Sequence, residues 1–328
     1  MKLGIIGKGN IVKEFLPQLA SVKGLEVVAL MGSPGKAQEA AAFCAAHGIA
    51  HCVVSLEEMV TLGVDTVYVA TPNLFHYAQS KAALELGLDV ICEKPMCANG
   101  EETEALVALA KEKGRFLFEA ITTLHYPNYR KIRQLLPRIG QVKLVQSQFC
   151  QYSSRYDAFL EGTVHPVFDP EKAGGTLMDL GVYNLFFVIG LFGKPESVQY
   201  AANVDRGIDT SGILTMHYPD FSAVCVAAKD CKGGCYSLIQ GTKGVIRTKL
   251  QPSLIGEVRL ELYDGTVETY DDGSARYRAA REFQAFVDAV NGRDFGFCYR
   301  HLEQSLHVAE VMTRARWEAG IRFPCDRG

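Results

Sequence analysis

Asp89-Val90-Ile91-Cys92-Glu93-Lys94-Pro95 reads as a buried strand that stops on a carboxylate, an ammonium and a proline. Proline cannot donate to a sheet ladder, so the strand finishes here. Ligands of open α/β sheets bind outside the carboxyl ends of the strands. A lysine at such an end is a candidate to work on a ligand, and a solvated charge at a strand tip is the competing reading.

The flanking sequence decides what kind of sheet this strand joins. Strand patterns at 2–6, 25–31, 66–70, 89–92 and 115–119 alternate with helical patterns at 10–21, 36–47, 74–86 and 101–113. Strands separated by helices of this length mean βαβ units and a mostly parallel, doubly wound sheet over residues 1–120. Right-handed crossovers then place all the carboxyl strand ends along one edge. Beyond Ile121 the pattern changes. Strands at 141–152, 197–206, 210–218, 221–229, 235–240, 244–251 and 257–262 follow one another through turns such as Tyr218-Pro219-Asp220-Phe221 and Tyr263-Asp264-Gly265-Thr266. This predicts a second α/β domain, residues 121–328, built on a large, mainly antiparallel open sheet. Helices are expected at 128–135, about 176–191, 279–290 and about 302–320, and 153–174 shows no clear periodicity. Long irregular connections of that kind are often functional loops.

Composition narrows the function classes. The formal net charge of -3 gives no global attraction to nucleic acid or anionic membrane. The apolar runs read as strand-length, so no membrane span is expected. Met1-Lys2-Leu3-Gly4-Ile5-Ile6 enters a strand directly, which with scattered cysteines points to a cytoplasmic protein with free thiols. The eight histidines do not cluster with metal-ligand spacing, and no metal site is expected. The partner is therefore a small molecule.

Gly7-Lys8-Gly9-Asn10-Ile11-Val12 follows the first strand and opens the first helix. Two glycines let the turn bend and let backbone N–H groups approach a pyrophosphate at a helix N-terminus. Gly7, Gly9, Asn10 and Ile11 are the expected contacts. Val12 stands where the motif usually has Gly or Ala. The second strand ends at Met31-Gly32-Ser33-Pro34-Gly35-Lys36 without the Asp or Glu that usually meets the ribose 2′-hydroxyl of NAD. Ser33 and Lys36 suit a 2′-phosphate instead, so the cofactor is NADP or NAD with a lean to NADP.

Three more stretches complete a pattern: Ala70-Thr71-Pro72-Asn73 with His76 beyond it, Cys92-Glu93-Lys94-Pro95, and Gly174-Gly175-Thr176-Leu177-Met178-Asp179-Leu180-Gly181-Val182-Tyr183. With the Gly-x-Gly turn they resemble the glucose–fructose oxidoreductase / inositol dehydrogenase (Gfo/Idh/MocA) family over essentially the whole chain. Tyr183, where many members carry His, resembles the branch of dimeric dihydrodiol dehydrogenases and NADP-linked xylose dehydrogenases. The resemblance implies an N-terminal Rossmann domain, hydride transfer between NAD(P) and a sugar, polyol or diol, a cis Lys94–Pro95 bond, and a homodimer or homotetramer through the C-terminal sheet. It adds Thr71, Pro72, Asn73, His76, Glu93 and Lys94 to the expected cofactor contacts. The stretch Thr122-Thr123-Leu124-His125-Tyr126-Pro127 departs from what many members carry, which bears on substrate identity.

Oxidising an alcohol needs a group to take the hydroxyl proton. Asp179 and Tyr183 are four apart on a predicted helix and so share a face. Under the family's packing, Lys94 sits beside the phenol, and the two titrate as a coupled pair. Tyr183 as proton carrier, with Lys94 polarising and Asp179 positioning, and Lys94 as the base both stay open. His165, Arg155, Tyr156 and Asp169, in or beside the irregular segment, are candidate substrate contacts. A cofactor-binding sensor on the same scaffold is the rival reading. It would keep Gly7 and Gly9 and could lose Lys94 or Tyr183, and both are present.

Overall fold

Residues 1–273 and 277–326 are described in a computed structural model of the chain. Their helices are α1 (Asn10–Leu19), α2 (Ala37–His47), α3 (Leu56–Thr61), α4 (His76–Glu85), α5 (Gly100–Lys113), α6 (Pro127–Leu135), α7 (Tyr156–Leu160), α8 (Val182–Phe192), α9 (Arg278–Asn291) and α10 (Phe295–Glu318). Two compact units form. One is Met1–Ala120 with Ala279–Leu306, the other Ile121–Arg278 with His307–Gly328.

In the first unit β1 (Lys2–Ile6), β2 (Glu26–Met31), β3 (His51–Val53), β4 (Thr66–Val69), β5 (Asp89–Glu93) and β6 (Leu117–Ala120) run in the order β3-β2-β1-β4-β5-β6. Every pairing is parallel. This is the doubly wound order, with its reversal between β1 and β4. Local chemistry sets the helix starts. Asn99 accepts the Glu102 N–H at 2.8 Å and Glu102 reaches back to the Ala98 N–H, a reciprocal cap that opens α5. Glu101 and Glu102 lie in its first turn and Lys111 and Lys113 in its last, which suits the helix dipole. Ser55 and Glu58 cap α3 in the same reciprocal way.

Helix α9, which chain order placed with the second half, belongs from Ala279 onward to the first unit. Its apolar face explains this. Phe283 meets Tyr68 of β4 edge to face at 5.1 Å, and Phe286 stacks on Phe118 of β6 at 4.5 Å. Both phenylalanines are fully buried, worth about 2–3 kcal/mol each in transfer from water. Strand β3 and helix α3 were not expected. β3 has three residues, two of them exposed, and so carries no apolar pattern.

The second unit holds an eight-stranded sheet of β7 (Val142–Cys150), β8 (Ser197–Asp205), β9 (Ile208–His217), β10 (Ser222–Ala228), β11 (Cys235–Gly241), β12 (Gly244–Lys249), β13 (Val258–Leu262) and β14 (Val267–Tyr270). The order is β14-β13-β12-β11-β7-β10-β9-β8. It is antiparallel except for β7 with β10. β14 was not foreseen, because an exposed edge strand needs no alternation.

One face of the sheet is covered by α8, all buried from Val182 to Gly190. Asn184 of α8 accepts the Ser147 hydroxyl of β7 at 3.0 Å and donates to the Val226 carbonyl of β10 at 2.9 Å. The expectation that apolar runs stop at strand length is corrected here: Pro170–Phe192 is long and apolar enough to cross a membrane, but 83% of its apolar window is buried inside the fold. It is the core helix of this unit. On the other sheet face Leu144 and Ile213 stay exposed.

Candidate active site

Each unit carries one part of the expected machinery. In the first, Gly7 has φ +109, and a Cβ there would lie 2.5 Å from the Ala70 carbonyl oxygen. Only glycine permits this turn, because β1 and β4 end side by side. Gly9 stands at the N-cap of α1 with no side-chain cap, so the first N–H groups are left for a ligand. Val12 at the third motif position is buried and packs in the core, while Asn10 and Ile11 stay at the helix start. This cradle fits a dinucleotide pyrophosphate.

At the end of β2, Ser33 and Lys36 are exposed on a turn closed by the Lys36 N–H to the Ser33 carbonyl at 2.9 Å. Lys8, inside the Gly-x-Gly turn, pairs with Glu39 in the first turn of α2. Hydrogen bonding and charge from Lys8, then the charge of Lys36, hold the Glu39 carboxyl below the usual range. Two cations thus meet one exposed acid at the end of β2.

The next two strand ends are tied together. His76 is fully buried, with Nε2 2.8 Å from the Thr71 carbonyl oxygen and Nδ1 2.9 Å from that of Pro95. Both ring nitrogens thus face backbone, and the imidazole ties the two turns together. Burial leads in pushing this imidazole toward the neutral form, in which one ring nitrogen donates and the other only faces its carbonyl. Thr71 also donates to Gln79 at 2.7 Å. Pro72 is exposed and Asn73 half-buried at the start of a short 3₁₀ turn.

Lys94 is half-buried and the Lys94–Pro95 peptide bond is cis. Glu93 behind it is buried and accepts the hydroxyl of Tyr68. The Met96 N–H donates to Glu119 at 2.9 Å. Glu119, at the end of β6, is 5% exposed, and its pKa is pushed up to about 7, chiefly by burial.

In the second unit the Gly-Gly element has a clear physical reason. Gly175 has φ +109, and a Cβ on it would fall 2.2 Å from Asp209 Oδ1. Asp209 of β9 is fully buried and receives the Leu177 N–H at 2.6 Å and the Tyr200 hydroxyl at 2.7 Å. Burial pushes its carboxyl pKa up, against those hydrogen bonds. Thr176 is tied to the Thr210 carbonyl at 2.8 Å. Leu177–Gly181 is one π-helical turn that runs into α8, so Asp179 precedes the regular helix that bears Tyr183.

Tyr183 is 8% exposed, with Phe149 6.1 Å away. Asp179 forms an ion pair with Lys229, just past the end of β10. Lys229 also lies 5.9 Å over the Phe168 ring. His165 is exposed, and burial, then the charges of Arg155 and Lys229, lower its pKa against the pull of Asp179. Arg155, Lys229 and Asp179 are thus each within electrostatic reach of His165. Tyr156 belongs to an aromatic cluster, 5.8 Å from Phe168 and 6.1 Å from Phe159. Asp169 accepts the Glu171 N–H at 2.9 Å as the cap of a 3₁₀ turn, so its geometry is that of a loop brace.

Lys229, Asp209 and Glu119 were not singled out from the sequence. Lys229 and Glu119 follow the same signature as Lys94, an apolar strand closing on a charge. No disulfide and no group of three metal-ligating residues occurs among the described residues.

A doubly wound sheet with a glycine cradle at the end of β1 and a Glu-Lys-Pro turn at the end of β5 defines a nicotinamide-linked oxidoreductase. The chain belongs to the Gfo/Idh/MocA family: the family's NAD-binding Rossmann domain matches residues 1–121 and its C-terminal domain residues 129–247. It is 34% identical over 333 residues to scyllo-inositol 2-dehydrogenase (NADP(+)) IolU of Bacillus subtilis (strain 168), covering 100% of this chain and 99% of that one. It is 26% identical over 360 residues to trans-1,2-dihydrobenzene-1,2-diol dehydrogenase of Mus musculus, covering 100% and 99%. In fold it resembles a 3-ketoreductase from Actinomadura kijaniata solved with NADP and TDP-benzene, with TM-score 0.81, 22% identity and 97% of each chain covered.

Proposed function

We propose that this chain is an NADP-linked dehydrogenase of a cyclic polyol or related sugar. The observation that supports the cofactor preference is the end of β2, where the exposed Ser33 and Lys36, with Lys8 paired to Glu39, suit an adenosine 2′-phosphate. Full-length similarity to an NADP-dependent inositol dehydrogenase supports the substrate class.

The nicotinamide, when bound, accepts or returns the hydride. The chain supplies the rest. Gly7, Gly9, Asn10 and Ile11 offer backbone to the pyrophosphate, and the turns at Thr71–Asn73 and Glu93–Lys94 are held rigid by His76 and Tyr68. Tyr183 and Lys94 are the two proton carriers, with Tyr183 first, and such acid–base help is worth about 10²–10⁴ in rate. Asp179, paired with Lys229, accepts a hydrogen bond from a substrate hydroxyl. Arg155 and His165 border the same cluster and select among substrates. The exposed sheet face bearing Leu144 and Ile213 serves self-association into a dimer or tetramer, and the protein works in the cytoplasm.

Nicotinamide absorbance followed with scyllo-inositol, myo-inositol, aldoses and vicinal diols, using NADP and NAD separately, tests this reading. Turnover of a polyol with NADP at least tenfold better than with NAD is expected. Tight NADPH binding with no turnover of any of them would make the chain a cofactor-binding sensor instead.

A further inference from the structure

Lys94 sits on a turn backed by buried acids. Glu119 is the last but one residue of β6, in register with Cys92 of the neighbouring β5. It is 5% exposed and accepts the Met96 N–H at 2.9 Å, so it grips the turn two residues past Lys94. Two charged groups act on it from the β5 side, Glu93 and Lys94, and the neutral, buried Ser305 hydroxyl of α10 donates to it. Glu93 has its own buried partner in the Tyr68 hydroxyl. The lysine is therefore backed by two enclosed carboxyl groups, each fixed by a hydrogen bond that does not involve the lysine.

We propose that Glu119 is a positioning residue for Lys94, fixing the turn that carries the lysine and setting through its own charge how tightly the lysine holds its proton. The inference rests on the reading of Lys94 as a catalytic group. When Glu119 is ionised, an added buried negative charge stabilises the ammonium. When it takes a proton from solvent, that support is removed and Lys94 releases its proton more readily. Burial places this change near neutrality, at about 7. A strand-end acid thus acts on the lysine electrostatically, without touching substrate.

The test reads Lys94 itself. The full-length protein is labelled with acetic anhydride across a pH series, and the fraction modified at Lys94 is measured by peptide mass spectrometry. Lys94 is half-buried and open to the reagent, and exposed Lys81 serves as the internal control. In Glu119→Gln the amide oxygen still accepts the Met96 N–H but the charge is gone. The labelling midpoint of Lys94 should move down by roughly one pH unit, with Lys81 unmoved and NADPH fluorescence binding within twofold of wild type. An unshifted midpoint in Glu119→Gln overturns the proposal. So does a shift seen only in Glu119→Ala, because packing alone would then explain it. Lys94→Ala is assayed with scyllo-inositol and NADP in parallel. Wild-type turnover there overturns the catalytic reading of Lys94 and this inference with it. An inactive Lys94→Ala beside an unshifted Glu119→Gln overturns this inference alone.

Discussion

Lys229 is 6% exposed in its side chain and holds Asp179, 32% exposed, in an ion pair. The two ends of this pair differ in what their loss leaves behind. Asp179→Asn strands an ammonium in an enclosed site and should cost about 3 kcal/mol. Lys229→Met removes the buried charge and lets the more open carboxylate rehydrate, at a cost of about 1 kcal/mol. Urea denaturation of both variants measures this, and equal losses would contradict the geometry. Turnover should fall in both, because Asp179 loses either its charge or its holder.

Gly175 and Gly114 both have positive φ, and they should respond very differently to alanine. At Gly114, φ is +60 and a Cβ meets nothing within 4 Å, so the substitution should cost about 1 kcal/mol. At Gly175 the new carbon would displace Asp209, and the cost should be about 3 kcal/mol or more. Thermal melts of the two variants give the comparison. Gly175→Ala should also lose turnover, since Asp209 fixes the first turn that carries Asp179.

Glu119 predicts a pH-dependent stability with a defined sign. Its pKa is raised from 4.5 in the unfolded range to about 7 in the fold, so the native state binds the proton more tightly. The stabilisation is complete below about pH 4.5 and is lost as pH rises through about 7. Subtracting Glu119→Gln from wild type cancels the other carboxylates. The wild-type advantage should shrink by about 2.5 kcal/mol between pH 5 and pH 8 in urea titrations. A flat difference would mean that Glu119 stays ionised in the fold.

Lys36→Ala should weaken NADP roughly fivefold, about 1 kcal/mol for an exposed charge-assisted contact, and change NAD less than twofold. Glu39→Gln should do the opposite and tighten NADP by freeing Lys8. Calorimetric titration with 2′,5′-ADP reads both without turnover. Equal effects on NADP and NAD would move the adenosine 2′ group away from this turn.

Much of the fold was legible because period and breaker agree. The run from Asp89 to Cys92 needs no tertiary knowledge to be read as a buried strand, and Pro95 ends it. The two sheets and their contrasting directions follow from spacing in the same way. What stayed hidden is information carried between distant residues. Asp209 explains why position 175 must be glycine, yet nothing near either residue says so. The ion pair of Asp179 with Lys229 spans fifty positions, and the exposed edge strand β14 carries no alternation. Asp169 looked like a pocket acid by composition, and its local cap to Glu171 is a role that a lone Asp shares with most loop acids.

The return of residues 279–306 to the first unit sets the order in which this protein can be made. A ribosome that has released residues 1–120 has delivered all six strands of the parallel sheet. It has not delivered Phe283 and Phe286, against which Tyr68 and Phe118 are packed. Until about 160 further residues have emerged, the nascent sheet holds bare aromatic surface. The parallel sheet is thus synthesised well before the helix that closes it.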